Sequence, residues 1–318
     1  MTIHSCLQQI HDGGTLSYES ALALARDSDL IELCRAADGL CRFFHASSFD
    51  LCSIISARSG RCSEDCRYCA QSAHYPAAID SYEQIETATA LKQARENDRA
   101  GVRRLSLVTA GRSVKNEQLE KLGELYAELG RETGLQFCAS MGLLTRDKAE
   151  RLVAFGVRRY HCNLESCREY FSQVCTTHTW EEKVETIRIA RAAGMDVCSG
   201  GIIGMGETLE QRLHLAFELR ELEVMSIPIN ILTPIAGTPF AELEPIPFDE
   251  VLRTIAMFRF INPLAVIRLA GGRNQFGSGQ YQCFAAGANG AIVGNYLTTA
   301  GNGLEQDLQA ICKMGYKF

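Results

Sequence analysis

The chain has 318 residues, 46% hydrophobic and 22% charged, a globular composition that excludes disorder and collagen-like structure. Its 38 acidic against 32 basic side chains leave a net charge of −6, so the basic footprint of a nucleic-acid-binding protein is absent. No stretch approaches the roughly 20 apolar residues of a membrane span and no signal-like region opens the chain, which predicts a cytoplasmic protein with no membrane or nucleic-acid partner. Residues 1–45 read as a helical N-terminal extension, with amphipathic segments at 18–26 and 30–45 and an irregular start around Cys6, expected to cap the domain formed by the rest of the chain. From about residue 50, apolar runs at 51–57, 102–108, 135–140, 157–164, 195–199, 226–232, 264–269 and 291–293 alternate with helical patterns at 116–132, 145–155, 180–193, 208–222 and 249–260. Thr145, Thr179 and Thr208 occupy N-cap positions ahead of acidic residues. Gly134, Gly156 and Gly194 each stand between a helix and a strand, where a left-handed cap is expected. Eight such units predict an α/β fold: a (β/α)8 TIM-type barrel over residues 46–318.

Fourteen cysteines are too dilute for a disulfide scaffold and point to metal or redox chemistry, with burial claiming some of them. The strongest motif is Cys62-Ser-Glu-Asp-Cys66-Arg-Tyr-Cys69, directly after the first predicted strand. Three thiolates this close on one loop can converge on a single inorganic centre, the alternative being a structural zinc or idle thiols. A structural zinc ion needs a fourth protein ligand, and none stands at zinc-finger spacing, although His74 is near. Three ligands on a four-iron cube leave one iron open, and the end of a barrel strand is where this architecture places chemistry. The non-enzymatic alternative is a zinc-stabilised binding module, colourless where an iron–sulfur protein is brown.

The spacing of the triad, with Tyr68 before its third cysteine, resembles the radical S-adenosylmethionine superfamily, in which the three cysteines hold a 4Fe–4S cluster. The wider segment Ile55-Ser-Ala-Arg-Ser-Gly-Arg-Cys-Ser-Glu-Asp-Cys-Arg-Tyr-Cys-Ala-Gln-Ser72 resembles the biotin synthase family in particular. So do Tyr160-His-Cys-Asn-Leu-Glu165, Cys198-Ser-Gly-Gly-Ile-Ile-Gly-Met-Gly-Glu207, Pro228-Ile-Asn230, Ile267-Arg-Leu-Ala-Gly-Gly-Arg273 and Ala286-Gly-Ala-Asn289, all in order. The resemblance implies insertion of sulfur from an auxiliary iron–sulfur cluster into dethiobiotin, driven by a radical made from S-adenosylmethionine. It also implies an electron donor such as flavodoxin or ferredoxin, and a homodimer. The rival within the superfamily is a barrel of the hydrogenase-maturase or methylornithine-synthase type, which does not need the inward set Cys138, Cys198 and Arg268.

Strand parity puts His161, Asn163 and Glu165 on one face and Cys162 on the other. The resemblance assigns Tyr68, Asn163, Glu165, Lys183, Gly201, Ile202 and Ile203 to S-adenosylmethionine. Glu165, where the family has Asp, would meet the ribose hydroxyls. Lys183 replaces an arginine that holds the methionine carboxylate, without its bidentate fork; its alternative is a solvated lysine beside Glu181 and Glu182. Gly201, Ile202 and Ile203 would line the adenine, against ordinary strand-end packing. For dethiobiotin, Asn230 and Asn163 offer paired donors and acceptors to the ureido ring, and Arg58, Thr298 and Thr299 match positions near its carboxylate.

One departure stands out. The family's auxiliary 2Fe–2S centre uses three cysteines and an arginine, and Cys138, Cys198 and Arg268 match, but the remaining position holds Ser106. Serine is a poor replacement for a soft thiolate. Cys52, where the family carries serine, shares parity with Ile54 and Ser56. Facing inward, Cys52, Cys138 and Cys198 would converge from three strands on a four-iron centre with an extra sulfide, favoured over 2Fe–2S. The alternative is a buried, idle Cys52 and an incomplete site. Cys6, Cys162, Cys283 and Cys312 read as chemically idle, Cys34 and Cys41 as core residues on one helix face, and Cys167 and Cys175 are unassigned.

Overall fold

The structure, a computed structural model, describes residues 2–294 and 303–318. Helices α1 (Ile3–His11), α2 (Tyr18–Asp27) and α3 (Leu30–His45) precede the first strand. Next come β1 (Asp50–Arg58), α4 (Thr87–Arg99), β2 (Arg104–Thr109), α5 (Asn116–Glu132), β3 (Gln136–Ser140), α6 (Arg146–Ala154) and β4 (Val157–His161). The second half comprises α7 (Trp180–Ala192), β5 (Asp196–Cys198), β6 (Gly201–Ile203), α8 (Leu209–Glu221), β7 (Ser226–Ile231), α9 (Phe248–Ile261), β8 (Val266–Leu269), β9 (Gly290–Ile292) and α10 (Leu304–Lys313). A kinked 3-10 segment, Arg273–Ala286, joins β8 to β9.

All strand pairs are parallel, in the order β5-β4-β3-β2-β1-β9-β8-β7-β6. The two ends of that order are consecutive in the chain, separated only by Ser199 and Gly200. The Ser199 amide donates to the Ser226 carbonyl at 3.0 Å, so the ring closes. The result is a TIM-type barrel of eight staves whose fifth is broken into β5 and β6. A Cβ on Gly200 would lie 1.9 Å from the Pro228 carbonyl oxygen, and one on Gly201 2.5 Å from that of Glu165. The paired glycines therefore let neighbouring backbone pack closely at the break.

Thr145, Thr179 and Thr208 cap α6, α7 and α8 as expected, each accepting from a backbone amide of the first turn. Gly156 and Gly194 adopt φ of 89° and 87°. Gly134 is not among the left-handed glycines, because α5 ends on an extended Thr133. The expected irregular start is also corrected: Cys6 is fully buried within α1, which opens with a Thr2–Ser5 capping box. The extension lies along the flank of the barrel, α3 against α9 and the 273–286 segment, α2 against α8 and α9. Leu33, Ala37 and Leu40 belong to the same hydrophobic cluster as the barrel strands. Buried Arg259 on α9 ties this side together, donating to Gly287 O at 2.9 Å, Ala265 O at 2.7 Å and Asn289 Oδ1 at 2.7 Å. Among the described residues no helix is long and apolar enough to cross a membrane.

Candidate active site

The triad occupies the loop after β1, at the C-terminal mouth of the barrel. Its path is fixed by backbone bonds: Cys62 N to Gln71 O at 2.9 Å, Ala73 N to Cys62 O at 2.8 Å and Cys69 N to Cys66 O at 2.9 Å. The acidic pair between the first two cysteines anchors it from outside. Glu64 accepts from Arg112 at 3.1 Å, Thr177 Oγ1 at 3.0 Å and His178 Nδ1 at 2.6 Å. Asp65 accepts from the Thr176 and Thr177 amides at 2.8 and 3.1 Å. The bonds from residues 176–178 join the loop to a segment more than 100 residues away, a link not legible in the sequence. The same segment brings Cys175 and His178 next to Cys66, with ligand atoms all within 4.8 Å of one another. Cys175 is held down to about 4 by a hydrogen bond from Cys66, against burial and with help from His178. Cys167, by contrast, is buried in the hydrophobic core. His74 turns away from the thiols and bonds the Ser63 carbonyl at 2.9 Å.

Two adjoining cavities lead inward. The outer one, about 200 Å³, is lined by Cys62, Cys66, Cys69, Tyr68, Asn163, Glu165 and Lys183, among others. The Lys183 side chain is only 12% exposed, with Nζ 3.7 Å from Glu165 Oε1, so the solvated reading of this lysine is overturned. Burial opposes its charge, and Glu165 with the neighbouring thiols more than restores it, raising its pKa. Glu165 sits at φ 69°, a left-handed conformation uncommon outside glycine and concentrated at functional sites. Asn163 connects the elements, accepting from the Gly200 amide at 3.1 Å and donating to Glu165 at 3.3 Å. Burial pushes Cys69 up to about 11, while Tyr68 is raised by burial and then by Glu165.

The inner cavity, about 300 Å³, runs down the barrel axis. Cys52, Cys138, Cys198 and Arg268 all face it, together with Ser106, Arg159, His161 and Asn230. Cys52 therefore points inward and meets the Cys138 thiol; this hydrogen bond, first among several causes, lowers the pKa of Cys52 and raises that of Cys138. Tyr126 holds the Cys138 strand by donating to its carbonyl at 2.7 Å. Cys198 lies 3.4 Å from His161 Nδ1 and is brought down to about 6: burial opposes ionisation, and the imidazole, Arg268 and Arg159 overcome it. Arg268 spans the floor, donating to Asp50 O and Asp50 Oδ1, both at 3.0 Å, and less closely to Ala291 O at 3.4 Å and Ser226 Oγ at 3.5 Å. Two buried polar atoms on this cavity, Ser106 Oγ and Arg159 Nε, have no hydrogen-bond partner among the described residues. Three soft thiols, a cationic floor and two orphaned donors fit an anionic iron–sulfur cluster better than an apolar ligand.

A family model described as "Radical SAM superfamily" matches residues 57–219, and one described as "Biotin and Thiamin Synthesis associated domain" matches residues 228–317. The biotin synthase of Desulfotalea psychrophila is 53% identical over 312 residues, covering 97% of this chain and 93% of that protein. That of Acetivibrio thermocellus is 48% identical, covering 96% of both. The chain belongs to the biotin synthase family.

Membership makes it a sulfur-inserting radical S-adenosylmethionine enzyme. The crystal structure of methylornithine synthase superposes with a TM-score of 0.84 at 17% identity, covering 98% of this chain and 96% of that one. The FeFe-hydrogenase maturase HydG of Carboxydothermus hydrogenoformans gives 0.81 at 18%, covering 99% and 78%. At those identities they share the barrel alone. Within the family frame, several expected residues fall differently from one another. Ile202 faces the inner cavity, whereas the Ile203 side chain is buried in the core behind the sheet and Gly201 packs on Leu215. Asn230 lines the inner cavity, but its amide already donates to Gly201 O at 3.2 Å and accepts from Gly271 N at 2.9 Å. Arg58 is on the outer cavity, paired with Glu83 at 3.3 Å and apart from Asn230. Cys162, expected on the opposite face from His161, instead lines the outer cavity with it, because β4 ends at His161 and strand alternation stops there; Thr298 and Thr299 lie outside the described residues.

Proposed function

We propose that this chain converts dethiobiotin to biotin with S-adenosylmethionine bound against the Cys62, Cys66 and Cys69 loop, and that Cys52, Cys138 and Cys198 hold a four-iron auxiliary cluster with an extra sulfide. The observation that carries this reading is the meeting of three thiols from β1, β3 and β5 on one cavity beneath the triad. When bound, the outer cluster supplies the electron that cleaves S-adenosylmethionine, and the inner one supplies the sulfur.

The chain's own residues bind, orient and shield. Lys183, largely enclosed beside Glu165, meets the methionine carboxylate, and Glu165 accepts from the ribose hydroxyls. Asn163 stands between the two ligands, with Tyr68 and Ile202 as apolar walls. Asn230, pinned by two backbone bonds, presents its remaining donor and lone pair to the ureido ring without having to be ordered on binding. Ile54, Val108, Ala270 and Ile292 keep water from the reacting carbons. With four hydrogen bonds already drawn from its terminal nitrogens, Arg268 acts as counter-charge for the inner cluster. A flavodoxin- or ferredoxin-type donor, a cytoplasmic setting and a homodimer complete the proposal, as does a division into an extension, 1–45, and a barrel, 46–318.

Anaerobic reconstitution with iron and sulfide tests it. The chain should hold about eight irons and make biotin from dethiobiotin; about six irons would contradict the four-iron inner centre. Cys66→Ala should form no 5′-deoxyadenosine, since two thiolates do not hold the outer cluster, and undiminished formation would overturn the site.

A further inference from the structure

Strands β2, β3 and β4 place Ser106, Cys138 and Arg159 in register across the barrel wall, Ser106 opposite Cys138 and Cys138 opposite Arg159. All three line the inner cavity. The two side chains that flank the thiol are the ones left unsatisfied there, Ser106 Oγ and Arg159 Nε. Burying donors without acceptors is costly, and native interiors rarely do so unless a ligand, ion or water completes the bond. Arg159 is only loosely neutralised. Its guanidinium stands 3.9 Å from Asp50 and 3.7 Å from Asp196, beyond hydrogen-bonding distance, and its side chain is 12% exposed. Arg268 differs on every count: it is 2% exposed, and Asp50 holds it at 3.0 Å. Asp50 in turn is shared among Arg268, Arg104 and Arg159, so one carboxylate faces three guanidinium groups. The wall around Cys138 therefore carries two buried polar atoms without a partner among the described residues, and a guanidinium that Asp50 and Asp196 approach no nearer than 3.7 Å.

We infer that Arg159, with Ser106 beside it, binds the non-protein sulfur of the inner centre as an inorganic sulfide or hydrosulfide anion. The inference rests on the four-iron reading above and assigns a holder to its extra sulfide. A guanidinium suits this task, because it donates along fixed directions, stays charged and is weakly hydrated. Arg159 is a positioning residue: it ligates no iron, and it fixes where the sulfur waits relative to the substrate.

The test compares the full-length parent with Arg159→Met and Arg159→Lys, each reconstituted anaerobically with ferrous iron and sulfide and then desalted. Iron and acid-labile sulfide are counted per chain, and absorption spectra are recorded. The parent should carry about nine sulfides to about eight irons. Arg159→Met should keep the iron and lose about one sulfide, with an altered spectrum, and Arg159→Lys should retain the surplus. A Met variant that keeps the surplus overturns the role of Arg159 alone. One that loses about half its iron makes Arg159 a support of the cluster site and equally overturns it. A parent with about six irons and no surplus overturns the four-iron reading itself, and the inference with it.

Discussion

Lys183 shows how one side chain is tuned by its surroundings. It stands on the first turn of α7, reaches past a capped helix start and ends beside Glu165 in the outer cavity. Without a ligand that pair satisfies itself; with one, the ammonium is free to meet a carboxylate. Replacing it by Met should raise the KM for S-adenosylmethionine by about 10- to 100-fold, the range for losing a charged hydrogen bond, while Lys183→Arg restores binding. Equal KM values for parent and Met variant in a 5′-deoxyadenosine assay would remove Lys183 from the site. The triad was readable from spacing alone, because its three cysteines lie on one short loop. Cys175, His178 and Arg159 were not, since their partners are brought to them by the fold: Cys66 and Glu64 from over 100 residues away, and the barrel axis from across four strands.

Among the elements, those with strong periodicity, α5 to α9, were legible in sequence, α6 to α8 also by their threonine caps, and so were the apolar strands. The break in the fifth stave was not, because β6 is three residues long and its glycines answer to neighbouring backbone rather than to local propensity. Helix α4 escaped because it buries only Ala90 and Ala94. Helix α3 carries a pH-sensitive attachment at its last residue. His45 Nε2 lies 3.0 Å from the Arg259 guanidinium, and burial with that charge lowers its pKa to about 4, from 6.5. The folded state therefore binds fewer protons than the unfolded chain between those values. Stability is full above pH 6.5 and is lost as pH falls toward 4. Thermal melts should show a Tm falling from pH 7 to pH 5, with a shallower fall in His45→Gln. Identical slopes would mean that His45 does not set the acid limit of this junction.

At the scale of the whole molecule, the barrel stacks two cavities, one at its mouth beside the Cys62, Cys66 and Cys69 loop and one on its axis lined by Cys52, Cys138 and Cys198. The broken stave, the Glu64 and Asp65 anchors and the Asp50 guanidinium cluster all hold these sites in line. Their separation means that one can be removed without the other. Cys52→Ala takes a thiol from the inner site and leaves Cys62, Cys66 and Cys69 in place, so cleavage of S-adenosylmethionine should survive while sulfur transfer fails. The direct measurement is the ratio of biotin to 5′-deoxyadenosine formed anaerobically by Cys52→Ala and by the parent. A ratio near zero in the variant, with 5′-deoxyadenosine still accumulating, is the predicted result; biotin at the parent's ratio would show that Cys52 only fills space in the barrel and would contradict the three-thiol inner centre.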